Sequence, residues 1–460
     1  MKFICLLLAA ALSLAAAPLR AATRPHYGGT LRMETRGAIA SFGRSKVLDA
    51  DDQALEDWVL SSVCDRLVIM ADDGSVRPRL AISWRSDLDL RSWHFALRPN
   101  VMLQNGNPLS PAIIIASLAA ANPTWHVRTE AGELLIQSDA PIPNLPAQLA
   151  EIRNSVCVSG DGGQWVGSGP FQIGEFQPGQ RMELRAFDSW SGRPFLDRIR
   201  IEMGKSLAEQ ATDFQLGRAE LIENSPTLAP PQRLSKISTS QPMELLAVVF
   251  AANTETAMRP RLRQAIALSL DRASIYSVLL RRQGEPSAAL LPEWISGYAH
   301  LFSSAQDLAR ARQVRAQMGS VPTLTLGYDP GDTLAKSIAE RVAVNAREVN
   351  VAIQPIPIAN NPRAANPDAR IVRVRIESPD PGAALASLAS PLNASTLTSA
   401  LSLNSADAIY RIENNALQDF LIIPIAHIPE AFMLGPMVHD WEIAPWGELN
   451  LGDLWMEPAP

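Results

Sequence analysis

The sequence has 460 residues and a formal net charge of −6. This length fits about three domains and supports cores that need no further crosslinks. The acidic balance, without any dense cluster of Lys or Arg, excludes a surface built to follow nucleic acid phosphates.

The first 22 residues predict a secretory signal peptide. Lys2 supplies a positive start, and residues 3–17 form an apolar run that is too short to span a bilayer. No cysteine follows the apolar run as a lipid-anchor site, and removal of Lys2 and Arg20 changes the net charge from −6 to −8. The sequence therefore predicts a soluble protein exported to the periplasm.

The first half of the mature chain predicts short strands and two helices. In chain order these are a strand within residues 28–35, a helix around residues 55–63, a strand at residues 93–97 and a helix at about residues 111–121. Pro111 suits the first turn of the second helix, with Ser110 before it as a cap. Two cysteines, Cys64 and Cys157, remain after processing, and the pattern leaves both a disulfide and two buried thiols open.

Strands and helices alternate more regularly from residue 181 onward. The predicted elements are strands at 181–187 and within 191–203, a helix and strand within 206–222, a buried strand at 244–253 and a helix at 260–280. Asp271 is positioned to cap the second half of that helix. A strand, helix and strand between residues 322 and 358 imply parallel pairing through a right-handed crossover, so the predicted fold class is α/β.

An exported hydrolase is the main enzymatic alternative. Residues 159–170 have a passing likeness to a serine protease motif, but Gly162 stands where the nucleophilic serine belongs. Ser168 lies between two glycines without the full five-residue elbow of a serine hydrolase, which favours a turn serine. No catalytic residue is predicted.

The six histidines give no metal site by spacing. No two of them are three or four residues apart, the separation that places two ligands on one helix face. Adjacent acids such as Asp51 and Asp52 lie in turn-like stretches, where solvated turns explain them. The sequence therefore predicts neither a metal nor a cofactor.

Several short motifs follow one another in a characteristic order. They occupy residues 28–35, 64–84, 93–111, 167–184, 261–275, 421–429 and 445–457. In this order they resemble the extracellular solute-binding proteins of family 5, the dipeptide-, oligopeptide- and nickel-binding components of ABC importers. The resemblance covers nearly the whole mature chain.

The resemblance implies a two-lobed periplasmic-binding-protein fold of type II, with these boundaries. Lobe one holds residues 23–55, 165–246 and 430–460, an inserted subdomain holds residues 56–164, and lobe two holds residues 247–429. Residues 167–184 would be a structural return into lobe one, where glycine tolerates positive φ and close backbone approach. Two such lobes close over a ligand, and the closed form is what a membrane permease reads.

Ligand-binding positions are implied near the end of a lobe-two strand. Relatives that bind peptides carry an acidic residue there for the α-ammonium, and Glu377 takes that position, with Asp380 closing the motif. The alternative is that Glu377 ends a strand facing water. Arg373 and Arg375 alternate along one strand face, where they would meet a carboxylate or phosphate, or simply form a solvated face.

The chain also departs from the family pattern. Asn105 stands where the family's turn usually has an aspartate, and the apolar residues 113–116 stand where the following helix usually has an acidic residue. The stretch from residue 263 to 427 is shorter than is usual in the family. Residues 389–406 lack the helix usual before the last one. A trimmed second lobe implies a smaller or more open cleft.

The resulting functional prediction is a monomeric solute receptor for an ABC importer, with a peptide or similar amine-bearing ligand and a permease of the inner membrane as partners. Alternatives within the fold are receptors for a nickel chelate, an opine or a sugar oligomer. An alternative of another class is a degenerate member that acts through a protein partner, in a chaperone-like or signalling role.

Overall fold

A computed structural model gives the architecture. It describes residues 24–43, 50–71, 73–190, 192–226, 228, 234–251, 259–358, 366–376, 378–403 and 405–458. The predicted signal peptide and the predicted ligand-binding residue Glu377 lie outside these described residues. Among the described residues, no helix has the length and apolar character needed to cross a membrane.

The strands are short apart from two. They are β1 (Thr30–Glu34), β2 (Val68–Met70), β3 (Val76–Pro78), β4 (Ala81–Ser86), β5 (Ser92–Leu97), β6 (His126–Glu130), β7 (Glu133–Gln137), β8 (Val158–Ser159), β9 (Trp165–Val166), β10 (Phe171–Gln177), β11 (Arg181–Ala186), β12 (Arg198–Glu202), β13 (Leu221–Glu223), β14 (Lys236–Phe250), β15 (Glu285–Pro286), β16 (Leu324–Tyr328), β17 (Ile353–Pro357), β18 (Ala369–Arg375), β19 (Ile422–Leu434), β20 (Val438–His439) and β21 (Trp455–Met456).

The helices lie between and outside these strands. They are α1 (Ala50–Val63), α2 (Pro111–Ala121), α3 (Leu145–Leu149), α4 (Leu207–Gln215), α5 (Pro260–Ser269), α6 (Arg272–Ser274), α7 (Glu293–Ser296), α8 (Leu308–Ala316), α9 (Thr333–Arg347), α10 (Pro381–Ser387) and α11 (Ala406–Leu417). Helix α2 has the predicted bounds, although the side chain of Ser110 makes no capping hydrogen bond. Asp271 accepts a hydrogen bond from the Ser274 amide, which confirms the predicted cap.

One large mixed sheet organises most of the described chain. Its strand order is β10-β11-β12-β1-β13-β19-β14-β18-β16-β17, with β15 alongside β19. Strands β16 and β17 pair in parallel across α9, and β1 pairs in parallel with β12 and β13, as crossover connections require. The predicted α/β fold class is confirmed.

Two long antiparallel strands form the middle of this sheet. Strand β14 has 15 residues and β19 has 13, and their register runs from the pair Lys236 and Leu434 to the pair Val249 and Ile422. The C-terminal end of β19 pairs with β13, and the second half of β14 pairs with β18. The pair therefore carries the chain between two halves of the molecule.

Separate hydrophobic cores distinguish these halves. One core gathers residues from Leu31 to Leu454, and we call its surroundings lobe one. Alternating residues of β14 point into two further cores on opposite faces of the sheet, and we call this part lobe two. A fourth core, between Leu67 and Val156, belongs to a subdomain with the four-stranded sheet β4-β5-β7-β6.

The predicted boundary between residues 55 and 56 falls inside helix α1. Leu55, Val59 and Val63 all enter the lobe-one core, so the whole helix packs as part of that lobe. We therefore propose that the subdomain begins after Cys64. The other two predicted crossings, at residues 246 and 429, fall within the long strands β14 and β19.

A disulfide joins the entry and exit of the subdomain. Cys64 follows α1 directly and bonds to Cys157, 93 residues later, just before β8. Gly167 passes over this bond: a Cβ on it would lie 2.3 Å from the Val63 carbonyl oxygen and 2.9 Å from Cys64 Sγ. Close backbone approach therefore explains the glycine, while the positive φ predicted for this stretch is absent at Gly167 and Gly169.

The end of lobe two, which the sequence predicts to be shortened, has some helical character. Residues 389–406, which the resemblance predicts to lack a helix usual in the family, contain the 3₁₀ segment Ser395–Ser402. Leu397 and Ala400 of this segment are fully buried in a lobe-two core. The segment therefore contributes packing in place of a regular α-helix.

Candidate functional site

Helix α1 of lobe one meets strand β18 of lobe two through a buried ion pair. The guanidinium of Arg375 on β18 donates a hydrogen bond to the carboxylate of Asp57 on α1. The same guanidinium places Nε 2.8 Å from Oε1 of Glu430 on β19. The exposed fractions of the three side chains are only 5 to 8%. The two lobes are therefore joined by charges that are withdrawn from water.

A second arginine on the same strand is held within lobe two. Arg373 Nε donates to Glu244 on β14 at 3.0 Å, and its Nη1 donates at 3.1 Å to Asp332, the residue that caps α9. Burial alone would lower the pKa of Arg373, but Glu244 and Asp332 outweigh it and raise the pKa well above its usual range.

Lobe one presents its own arginine to this region. Arg36, in the turn after β1, lies 2.8 Å from Asp51 at the start of α1 and 3.1 Å from Glu223 on β13. The charges of Arg36 and Arg373 act on the same carboxylate, Asp51, from the two lobes.

We call these charged residues together the junction cluster. Its members are Arg36, Arg373, Arg375, Asp51, Asp57, Glu223, Glu244, Asp332 and Glu430. Among the described residues the cluster has six carboxyl groups for three guanidinium groups, so ionised carboxylates are in excess. Three arginines cannot neutralise six ionised carboxylates, and the remaining negative charge is costly in a medium of low dielectric constant.

Two carboxyl groups of the junction cluster, those of Asp51 and Glu430, have raised pKa values. Burial raises the pKa of each carboxyl group to about 7, although Arg36 and Arg375 act in the opposite direction. Neither oxygen of Glu430 accepts a hydrogen bond from the described residues. The geometry therefore leaves a buried carboxylate at the junction that a further cation can stabilise.

The residues predicted from the sequence are placed as follows. Arg373 and Arg375 are buried against carboxylates of their own chain, so the interpretation as a solvated strand face is wrong. Asp380 caps α10 through the Ala383 amide at 2.9 Å. It also accepts a hydrogen bond at 3.0 Å from Asn144 of the subdomain. Glu377, outside the described residues, remains a prediction.

Sequence reasoning missed the carboxylates contributed by lobe one. Asp51 and Asp52 lie in the first turn of α1 rather than in a solvated turn, and Asp52 accepts a hydrogen bond from the Ala38 amide. Asp57 lies among apolar residues of the same helix, and Glu430 lies within the long apolar strand β19. A charged residue inside an otherwise buried pattern is the signal that could have revealed them.

Lobe two, the subdomain and the C-terminal segment enclose a small space that no member of the junction cluster lines. A narrow gap is lined by Pro379 of lobe two, Ala147 of the subdomain and Trp446 of the C-terminal segment. It shares Arg66, Met70, Trp446 and Glu448 with a cavity of about 310 Å³ between lobe one and the subdomain. Within the described ranges, no group of three or more His, Cys, Asp and Glu side chains is arranged to hold a metal ion.

The raised pKa values predict how stability depends on pH. Asp51 and Glu430 ionise more readily in the unfolded chain, where their pKa values are 3.8 and 4.5, than in the folded protein, where they are about 7. The stability that both contribute is complete below pH 4 and is lost as the pH rises through 7. We expect the melting temperature of ligand-free protein to fall between pH 4.5 and 7.

Glu430→Gln provides the check on this pH dependence. An amide does not ionise, so the variant should show a shallower fall in melting temperature across the same pH range. A melting temperature that rises between pH 4.5 and 7, or a slope that Glu430→Gln leaves unchanged, would contradict the assignment.

Known proteins share both the fold and the sequence pattern. The nickel-binding protein NikA of Staphylococcus aureus is 21% identical over 309 residues, which cover 61% of this chain and 62% of that protein. The probable D,D-dipeptide-binding periplasmic protein DdpA of Escherichia coli is 22% identical, covering 68% and 69%. This chain thus spans less than two thirds of the length of the nickel-binding relative.

A solved structure extends the match over almost the whole chain. The oligopeptide-binding protein AppA of Bacillus subtilis, in complex with a nonapeptide, superimposes with a TM-score of 0.78 at 16% identity. The alignment covers 95% of this chain and 100% of that one. The likeness confirms the two-lobed periplasmic-binding-protein fold.

The family follows from a broader sequence comparison. Residues 75–396, well over half of the chain, match the description "Bacterial extracellular solute-binding proteins, family 5 Middle". This family consists of binding proteins that catalyse no reaction, in line with the absence of a predicted catalytic residue. The chain belongs to the bacterial extracellular solute-binding proteins, family 5.

Proposed function

We propose that this protein is the exported solute receptor of an ABC importer, and that it captures a peptide or a similarly sized amine-bearing solute between its lobes. The observation that carries this proposal is the excess of buried carboxylates in the junction cluster. A protonated amine beside Glu430 would add to the one positive charge, that of Arg375, which the described residues place against this carboxylate. Charge-assisted hydrogen bonds of this kind are about twice as strong as neutral ones.

The position of the junction cluster supports a mechanism of lobe closure. Asp57 belongs to lobe one and Arg375 to lobe two, so a solute that contacts both can do so only when the lobes are together. Such a solute shifts the population toward the closed form. Changing the ratio of open to closed protein from 99:1 to 1:99 requires a difference in binding free energy of about 5.5 kcal/mol.

The proposal includes the cellular location of the protein and its partner in the membrane. The predicted signal peptide and the Cys64–Cys157 disulfide both fit an oxidising compartment, and we place the protein in the periplasm as a monomer. The closed form would then deliver its solute to a permease of the inner membrane.

The ligand class can be tested by calorimetry with defined probes. We expect trialanine to bind more tightly than N-acetyl-trialanine, because acetylation removes the positive charge. Glu430→Gln should weaken trialanine binding about tenfold, equivalent to roughly 1.4 kcal/mol. The matched control is Glu175→Gln, an exposed carboxylate on β10, which should leave the affinity unchanged.

Three other results of these binding measurements would change the proposed ligand. Equal affinities for the free and acetylated peptides, or no effect of Glu430→Gln, would exclude amine recognition at the junction cluster. A one-to-one nickel–histidine chelate, which carries a single positive charge, is the second probe, since a relative is named as nickel-binding and a cation suits excess carboxylates. Binding of the chelate without any peptide binding would assign a metal-chelate receptor instead.

A further inference from the structure

Lobe two buries an arginine away from the junction cluster. Arg272, in α6, is 4% exposed. Its Nε and Nη2 donate to the carbonyl oxygen of Pro424 on β19 at 2.9 and 2.8 Å, and Nη1 lies 3.5 Å from the Ala267 carbonyl oxygen. All of these partners are neutral backbone groups. Backbone carbonyl groups therefore hold the guanidinium in place, and none of these partners is a counter-ion.

Arg272 differs from the arginines of the junction cluster in having no acidic partner among the residues that the structure describes. Arg373 and Arg375 each face two carboxylates, whereas no Asp or Glu in the described ranges forms an ion pair with Arg272. Burial lowers the pKa of Arg272 to about 10, so the group remains protonated at neutral pH. A buried charge without a partner is costly, and an anion would offset that cost.

A cavity of about 350 Å³ opens beside Arg272. This volume falls within the range of roughly 300–1,000 Å³ that is typical of small-molecule sites. Most of its lining is apolar and comes from the ends of α5 and α11 and from the start of β19. The apolar lining residues include Leu268, Phe302, Leu417, Phe420, Ile422 and Ile423.

The polar groups of this cavity are neutral apart from Arg272. Ser303, Asn414 and Gln418 supply hydroxyl and amide groups, and no acidic residue lines the space. Arg272 has five N–H donors, of which the backbone bonds use three, so a planar fork remains partly available to an acceptor. A carboxylate has the planar geometry to accept hydrogen bonds from such a fork.

We propose that this space, the Arg272 cavity, binds a monocarboxylate with an apolar tail. The carboxylate would pair with Arg272, and the tail would lie against Leu268, Phe302 and Phe420. The site is separate from the cleft between the lobes and does not depend on the nature of the transported solute. Its occupant would stabilise lobe two alone.

The test uses decanoate as the probe and the full-length mature protein. Calorimetry should show one equivalent of decanoate bound at least tenfold more tightly than decanol or decylamine, which share the tail but lack the negative charge. Equal binding of decanoate and decanol would overturn the proposal, as would the lack of any decanoate binding at millimolar concentration.

A variant that fills the cavity locates the site. Ala305 is an exposed lining residue, so Ala305→Trp should obstruct the cavity without removing the backbone bonds of Arg272. We expect this variant to lose decanoate binding at least tenfold while keeping its affinity for whichever probe binds the cleft. Undiminished decanoate binding by folded Ala305→Trp would overturn the assignment, and the comparison with decanol stands independently of any variant.

Discussion

Arg375→Met is expected to lower the free energy of unfolding by about 3–5 kcal/mol. The substitution removes the described cation that contacts both Asp57 and Glu430, and it leaves these two buried carboxylates without that cation. The loss exceeds that of an ordinary surface ion pair because the remaining charges cannot be solvated. Urea unfolding followed by tryptophan fluorescence measures the change.

Two further variants separate the ion pair from general effects. Arg370→Met alters an exposed arginine on the same strand and should change stability by less than about 0.5 kcal/mol. Asp57→Leu combined with Arg375→Met replaces charges by apolar groups and should recover part of the loss. A small effect of Arg375→Met alone would show that the lobes are not joined by this pair in solution.

Reduction of the Cys64–Cys157 bond should lower the free energy of unfolding by about 4–5 kcal/mol. In the chain-entropy account, a crosslink that closes a loop of this length restricts the unfolded chain strongly. The loop separates cysteines 93 residues apart and contains the subdomain core. Denaturation with and without dithiothreitol, together with thiol titration, gives the measurement.

The paired variant Cys64→Ser, Cys157→Ser is the control for reduction. Its unfolding curve should match that of reduced protein and should not respond to dithiothreitol. An unchanged curve for protein shown by titration to be reduced would contradict a stabilising role for the bond.

The fold was predictable because its local patterns agree with its topology. The unit from β16 through α9 to β17 combines strand periodicity, a capped amphipathic helix and a second strand, and this combination permits few arrangements. Helix α2 was equally clear, since Pro111 marks its first turn. The ordered motifs then extended these pieces to a whole architecture.

The candidate site was not predictable in the same way. Asp57 and Arg375 are 318 residues apart, and only the packing of α1 against β18 brings them together. Arg373 and Arg375 alternate with apolar residues, as in a strand that has one face in solvent. The same alternation occurs when the face that carries the arginines is buried against carboxylates. Burial of charge is a tertiary property that local periodicity does not encode.

The discontinuity of lobe one sets an order for folding during synthesis. Its core needs both Leu31 and Leu454, so it can form only after nearly the whole chain has left the ribosome. The cores of the subdomain and of lobe two, by contrast, are each built from one continuous stretch. Lobe one, whose two chain ends must meet, is therefore the last of the three parts to complete its core.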